Sequence, residues 1–129
     1  MEAHFLNVDL EIQSTAKLDP LIKAMGERVL ILHRGPGTLK RHLLTVEIWQ
    51  HLDPDTTIHG LCELVEGLPP ACRRIWNRAI KEFDVGIEQW PTERCSRFSL
   101  RPDTLLRLAA LGANLTVTVY RRDASEARM

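Results

Sequence analysis

The chain has 129 residues, of which 44% are hydrophobic and 26% are charged. This length and composition are those of one globular domain that can bury a core without disulfides or metals. Seventeen basic residues balance seventeen acidic ones, so no net field would draw the chain to nucleic acid or to an anionic membrane.

The termini and the cysteines predict a cytoplasmic location. The first residues lack the basic and apolar regions of a secretory signal, and no apolar stretch approaches the ~20 residues that cross a bilayer. The three cysteines are irregularly spaced, which fits a reducing compartment better than a disulfide framework. We predict a single domain over residues 1–122 and a flexible polar tail over residues 123–129.

An alternating segment and a proline predict the first elements. Residues 5–13 alternate apolar and polar side chains, as a half-buried strand does. Asp19 and Pro20 are typical of the N-cap and first turn of a short helix, which Gly26 would end in the left-handed conformation. Residues 28–33 are apolar at nearly every position, which predicts a strand covered on both faces.

A hairpin and two helices follow. Residues 34–37 (Arg-Gly-Pro-Gly) predict a turn that leads into a strand over residues 43–50. Asp55 is the predicted N-cap of a helix whose apolar side chains recur with a helical period. Two prolines at positions 69 and 70 end this helix and start another. The predicted inner residues of that second helix are Ile75, Trp76, Ala79 and Ile80.

The last third of the chain predicts two more strands around a helix. Residues 83–87 form the fourth strand, and residues 89–99 form a long loop. A helix then runs from about residue 102 to residue 111, and residues 113–120 form the fifth strand.

The chain also contains an internal βαβ repeat. Residues 7–11 (Asn-Val-Asp-Leu-Glu) return at residues 84–88 (Asp-Val-Gly-Ile-Glu). Each copy continues through a proline-started helix that closes on glycine, and then into an apolar strand. The second copy has the longer loop, at residues 89–99. Because loops accept functional insertions more readily than cores do, this loop is the better place to look for a contact.

These elements predict an α+β fold with a mixed five-stranded sheet. The order β-α-β-β-α(α)-β-α-β begins as a ferredoxin-like split βαβ arrangement, in which the third strand lies between the first and second. A right-handed crossover adds the fifth strand beside the fourth. The predicted strand order is 2-3-1-4-5, with the helices on one face and the other face open to solvent or to a partner.

The open face is predicted to be acidic. Strand parity places on it Asn7, Asp9, Glu11, Thr45, Glu47, Asp84 and Glu88. Paired carboxylates there could perform acid–base chemistry or hold a hard cation. Ordinary strand patterning also explains their outward parity, since something polar must face water. An acidic face that receives a basic partner lies between these two interpretations.

The sequence contains no metal or catalytic motif that we recognise. The five histidines form no HExxH or HxH pattern and the cysteines form no CxxC, so no metal and no cofactor are predicted. Cys95 lies between Arg94 and Arg97, an electropositive setting that favours thiol reactivity. No histidine is near it in sequence to act as a base, and no catalytic residue is assigned.

Two tryptophans add to the predicted binding surface. Trp49 is opposite in parity to Ile48 and would point away from the helices, and Trp90 opens the long loop. Exposed tryptophans are frequent anchors of protein interfaces. The predicted binding residues are Asp9, Glu11, Glu47, Trp49, Glu88, Trp90, Arg94 and Cys95.

Three segments resemble an uncharacterised bacterial family of small α/β domains. They are residues 5–11, 83–87 and 108–120. Some similar domains are suspected immunity-type proteins of toxin loci, so the resemblance implies a bacterial protein that binds another protein. The shared motifs are structural ones, and the resemblance assigns no catalytic residue.

Three hypotheses about function follow. The leading one is a non-enzymatic module that engages a protein, or a second copy of itself, through the acidic face or the 89–99 loop. The second is a regulatory domain that binds a small metabolite between its βαβ units. The third is a hydrolase or metal-dependent enzyme that uses Asp9, Glu11 and Glu88. None of the three involves nucleic acid or a membrane.

Overall fold

The computed structural model describes residues 4–49, 53–92 and 94–123. The predicted tail therefore lies, apart from Asp123, outside the described residues. In chain order the elements are β1 (Phe5–Ser14), α1 (Asp19–Met25), a short 3₁₀ turn (Gly26–Arg28), β2 (Val29–Pro36), β3 (His42–Ile48), α2 (Pro54–Glu66), α3 (Pro70–Arg78), β4 (Ile80–Gln89), α4 (Pro102–Ala110) and β5 (Asn114–Arg121).

The strands form one mixed five-stranded sheet in the order β2-β3-β1-β4-β5. The pairs β2–β3, β1–β3 and β1–β4 are antiparallel, and β4–β5 is parallel. This confirms the predicted α+β class and the predicted strand order. The strands β1 and β2 are separated by β3, whereas β4 and β5 are direct neighbours.

The core lies between one face of the sheet and the helices. Alternation in β1 sends Val8, Leu10 and Ile12 to this side, where all three are fully buried. The apolar stripe of α2 packs against them, and Ile58 and Leu61 are likewise inaccessible. Each such side chain contributes about 1.5–3 kcal/mol when it is fully buried, so this layer supplies most of the stability of the domain.

The prediction that β2 is covered on both faces is wrong. This strand is the outer edge of the sheet, and Ile31 and Leu32 remain 40% and 45% exposed. The register shifts between Ile31 and His33, so the apolar run is broken by a bulge. The strand also continues to Pro36, through most of the turn predicted at residues 34–37. The chain reverses direction after it, near Leu39, which has a positive φ of 52°. An edge strand tolerates proline because its outward N–H has no ladder partner.

The prediction that Asp55 caps α2 is also wrong. Asp53 is the N-cap, and its carboxylate accepts a hydrogen bond from the Thr56 N–H at 2.8 Å. Asp55 is buried and accepts bonds from the backbone N–H and the Nε–H of Arg101, each at 2.8 Å. Either aspartate could cap α2. Asp53 does so because Asp55 is bound instead to Arg101, which precedes α4.

The first helix begins one residue earlier than predicted. Leu18 is the N-cap, and Asp19 is the first helical residue, with its carboxylate 2.9 Å from Arg34 on β2. Gly26 ends α1 with φ 57° and ψ −133°. The predicted end of the helix at Gly26 is correct, but the predicted left-handed conformation is not adopted: φ is positive, and ψ lies in a region open mainly to glycine.

The end of α3 is stabilised by a buried lysine. Trp76 is inaccessible and donates its indole N–H to the Leu111 carbonyl at 2.9 Å. Lys81 is 6% exposed, and its Nζ donates to the Trp76 and Ala79 carbonyls at 2.9 and 3.2 Å. Burial lowers the pKa of Lys81. Ile80, predicted to face inward, is instead the first residue of β4 and is 46% exposed.

Candidate functional site

The face of the sheet opposite the core carries six carboxylates, which we call the acidic face. The register of β1 and β4 places Asp9 directly opposite Asp84, and Glu11 directly opposite Glu82. Side chains in such positions have Cβ atoms about 4.5–5.5 Å apart, and like charges there are destabilising. All six side chains are half-buried. They are Asp9, Glu11, Glu47, Glu82, Asp84 and Glu88.

Asn7 connects two of these carboxylates. Its Nδ2 donates to Asp9 Oδ1 and to Glu47 Oε2, each at 3.0 Å. Gly86 lies opposite Asn7 in the β1–β4 ladder, and a Cβ at position 86 would come within 2.7 Å of Asn7 Oδ1. Glycine at this position therefore leaves the space that the Asn7 amide needs to bridge the two acids.

Asp9 is the most strongly perturbed carboxylate of the acidic face. Its pKa rises from 3.8 to about 6. Burial is the largest cause, followed by the charge of Glu47 and a hydrogen bond shared with it, and then by the charges of Asp84 and Glu11. Each of these causes disfavours the ionised form of Asp9. The middle of the face is therefore crowded with negative charge at neutral pH.

Two other members of the acidic face have hydrogen-bond partners on or after β5. The Thr118 hydroxyl donates to Asp84 Oδ1 at 2.7 Å, and Arg122 donates from Nε to Glu88 Oε2 at 3.0 Å. The negative charge of the acidic face is therefore balanced by a cation at its Glu88 end. Around Asp9, the charged groups that shift its pKa are all carboxylates.

The three carboxylates of the enzyme hypothesis do not converge on one point. Glu11 lies opposite Glu82, and Glu88 is six residues further along β4, which is about 20 Å at ~3.3 Å per residue. Catalytic groups must reach the same reacting atoms to act together. Among the described residues, no three histidine, cysteine, aspartate or glutamate side chains are grouped so that they could hold a metal ion.

The predicted binding residues are divided between different parts of the molecule. Asp9, Glu11, Glu47 and Glu88 lie on the acidic face, as predicted. Trp49 lies just beyond β3 and is 63% exposed, and its indole N–H donates to the Glu27 carbonyl at 2.8 Å. The tryptophan is therefore held at the β2 side of the sheet.

The long loop contacts the carboxyl end of the parallel pair β4–β5 and its core side. Trp90 lines an open cavity of about 300 Å³ together with Arg121 and Arg122. Arg94 and Cys95 are exposed. Cys95 lines a cavity of about 260 Å³ with Ile87 and other residues of the core side. The structure therefore does not bring Cys95 together with the carboxylates of the acidic face.

A second cavity adjoins the one at Cys95. It has a volume of about 290 Å³ and shares Ile87 and Ser96 with its neighbour. Its walls are mainly apolar, and Phe98 from the long loop forms part of them. Phe98 also contacts Phe5, with ring centroids 6.2 Å apart, which fixes this part of the loop to the start of β1.

Five residues of the site lie outside the predicted binding set: Asn7, Glu82, Asp84, Thr118 and Arg122. Strand parity predicts Asn7 and Asp84 on the open face, but the Asn7 bridge and the opposition of Asp84 to Asp9 depend on neighbouring strands. Glu82 was missed because β4 begins at Ile80, earlier than predicted; its parity with Asp84 could have revealed it. The partners Thr118 and Arg122 follow only from the β4–β5 register.

No protein-family model, curated protein or solved structure matches this chain. Within the described part of the chain, no helix has the length and apolar character needed to cross a membrane. The candidate site therefore rests on the geometry of the acidic face and of the long loop.

Proposed function

We propose that this chain is a non-catalytic bacterial protein-binding module of the cytoplasm, immunity-like or adaptor-like, that presents its acidic face to a basic protein. The observation that carries the proposal is the pair of directly opposed acids, Asp9 with Asp84 and Glu11 with Glu82. Opposed like charges lower the stability of the free fold. Cations from a partner would relieve this repulsion, so the same feature that costs stability favours binding.

The raised pKa of Asp9 makes the proposal testable through proton release on binding. Its raised pKa of about 6 results from burial and from the neighbouring acids. A lysine or arginine brought within hydrogen-bond distance would favour the ionised carboxylate and lower this pKa. Binding below about pH 6 should therefore release protons. Calorimetric titration in buffers of different ionisation enthalpy would measure that release.

The 89–99 loop supplies the second part of the proposed contact. Trp90 and the arginines of its cavity lie at the carboxyl ends of β4 and β5, next to the Glu88–Arg122 ion pair at the end of the acidic face. A tryptophan with one apolar side and one polar end is well suited to anchor a partner. The proposed interface thus runs from the carboxylates onto this end of the loop.

Affinity purification with charge-matched variants tests the proposal. The test bait is Glu11→Gln with Glu47→Gln, which removes two charges from the acidic face and keeps the acceptor that Asn7 uses. The control bait is Glu63→Gln with Asp103→Asn, two exposed carboxylates of the helical layer. We expect wild type and control to retain a basic protein from the native lysate, with loss at high salt. Equal capture by all three baits, or none, would contradict the proposal.

The two adjoining cavities favour a second candidate, a small-metabolite-binding regulatory domain. Their walls are mainly apolar and lie on the core side of β4 and β5. Small-molecule sites are generally concave and mostly apolar. A thermal-shift screen of metabolites would test it. A ligand should raise the melting temperature of wild type, and Ser96→Trp, which places a large ring at an exposed position that lines both cavities, should lose the effect. A screen without any shift would count against this candidate.

We also propose that the fold is ferredoxin-like and that it contains an internal repeat. The antiparallel order β2-β3-β1-β4, with helices between β1 and β2 and between β3 and β4, supports the first part. Val8 pairs with Val85, which the repeat also equates, and this supports the second. An experimental structure in which β4 is not paired with β1 would refute both.

A further inference from the structure

The strand β5 has an apolar side that the domain does not cover. Its register with β4 sends Leu115, Val117 and Val119 to the core side of the sheet. These side chains are nevertheless 39%, 55% and 50% exposed. The helix α4, which connects β4 to β5, packs beside α2 and so leaves this side of β5 open. Leu106 on α4 is itself 72% exposed.

The two edges of the sheet differ in how they are protected. On β2 the register shift after Ile31, the charge of Arg34 and the ring of Pro36 all obstruct pairing with another strand. In β5, residues 114–120 contain no charge and no proline, and their register with β4 has no shift. Among the described residues no strand pairs with the outer edge of β5. Natural sheets rarely leave a straight, neutral edge unprotected.

We propose that β5 pairs with β5 of a second copy, antiparallel about a twofold axis through Val117, to form a continuous ten-stranded sheet. A twofold axis normal to the sheet keeps the core sides of both copies together, so only residues of equal parity can face each other. In this register Val117 faces its own equivalent, Leu115 faces Val119, and Thr116 faces Thr118. Each is an apolar pair or a threonine pair of the kind that stabilises sheets.

The charge distribution fits a second copy and argues against registers moved towards the arginines. Pairing over residues 114–120 brings no two charged side chains opposite each other, because the arginines begin at Arg121. Moving the axis to Thr118 would place Arg121 opposite Leu115 and lose an apolar contact. A strand that is neutral and symmetric about Val117 fits itself without a complementary partner sequence, as an isologous interface requires.

The available area is that of a small dimer interface. The strand is about 26 Å long, and the edge of a two-layer domain is about 20 Å tall, which gives a flat footprint of about 500 Å² per partner before protruding side chains are counted. This is less than the ~800 Å² per partner of a standard interface and close to the lower limit of a specific one, so we expect a weak dimer. The dimer would use a surface separate from the acidic face, and both acidic faces would lie on the same side of the joined sheet.

Sedimentation equilibrium of the full chain over a wide concentration series tests the interface. We expect a concentration-dependent dimer that Val117→Glu abolishes, since the axis would bring two glutamates together. The matched control is Leu32→Glu on the opposite edge, at an exposed position of similar accessibility, which should leave the dimer intact. Circular dichroism checks that both variants fold. A monomer at every concentration, or a dimer unaffected by Val117→Glu, overturns the proposal.

Oxidative cross-linking tests the register and separates a second copy from a foreign strand. In a Cys95→Ser background, Val117→Cys should form a disulfide with its own equivalent, because facing residues have Cα atoms about 4.5–5.5 Å apart. Leu115→Cys or Val119→Cys alone should not cross-link, whereas a mixture of the two should. Cross-linking by Leu115→Cys alone, or failure of Val117→Cys in a sample shown to be dimeric, overturns the proposed axis.

Discussion

Replacing Asp9 by asparagine should stabilise the protein at neutral pH. The folded-state pKa of Asp9 is about 6, against 3.8 for the ordinary side chain. At about 1.36 kcal/mol per pKa unit this difference corresponds to ~3 kcal/mol. Because Asp9 is only half-buried, solvent screening reduces the expected gain to about 1 kcal/mol, or roughly 4 °C in melting temperature. The amide also keeps an oxygen for Asn7 and offers Glu47 an N–H in place of the shared proton.

The sign of the pH dependence follows from proton uptake. Between about pH 4 and pH 6 the folded state binds more protons at Asp9 than the unfolded state does, so wild type loses stability as pH rises through this window. Asp9→Asn does not titrate and should show its full advantage above about pH 6 and little below pH 4. Urea unfolding followed by circular dichroism at both ends of the window measures this difference. A variant that is destabilised at neutral pH, or equally stabilised in acid, would refute the reasoning.

Three further predictions concern the rest of the domain. The bonds from Arg101 lower the pKa of Asp55 despite its burial, so Asp55→Asn should cost about 1–2 kcal/mol at neutral pH. That cost should shrink as pH falls below about 4, first because the unfolded-state carboxylate takes up a proton and then because the folded-state one does, and urea midpoints would show it. Trp76→Phe should cost about 2–3 kcal/mol, since it leaves the buried Leu111 carbonyl unpaired and opens a cavity; a wild-type midpoint would contradict this. Of the three thiols only Cys95 is exposed, so one thiol should react rapidly with Ellman's reagent in the native state, and Cys95→Ser should remove that phase.

Local patterns predicted much of the fold. The alternation of β1 and the helical stripe of α2 each report burial within one element, and the structure places Leu10 and Leu61 in the core accordingly. The strand order followed from rules on connections. The burial of β2 could not be inferred in this way, because an apolar run in a central strand and one at an edge look alike in sequence. The N-cap of α2 was decided by Arg101, 46 residues from Asp55.

The candidate site was predicted only in part, because the parity of side chains is information within a single strand. Strand parity correctly placed Asp9, Glu11, Glu47 and Glu88 on one face. Parity does not carry over a loop, however, so the sequence could not show that Cys95 lies beside core-side residues. The opposed acid pairs also depend on the register between two strands that are far apart in sequence. Only the assembled sheet reveals that these like charges face each other.

The central position of β1 also matters during synthesis. This strand is synthesised before the other four, yet Asp9 completes its ladder only with Asp84, 75 residues later. At ~5–20 residues per second this interval is on the order of 10 s. Over that time one edge and the apolar side of β1 can meet other nascent chains. Asp9 and Glu11 place like charges along that strand, and charges at such positions act as gatekeepers against aggregation. We expect Glu11→Gln to aggregate more than wild type during refolding, as light scattering would report. Equal scattering would mean that the acids protect only the finished sheet.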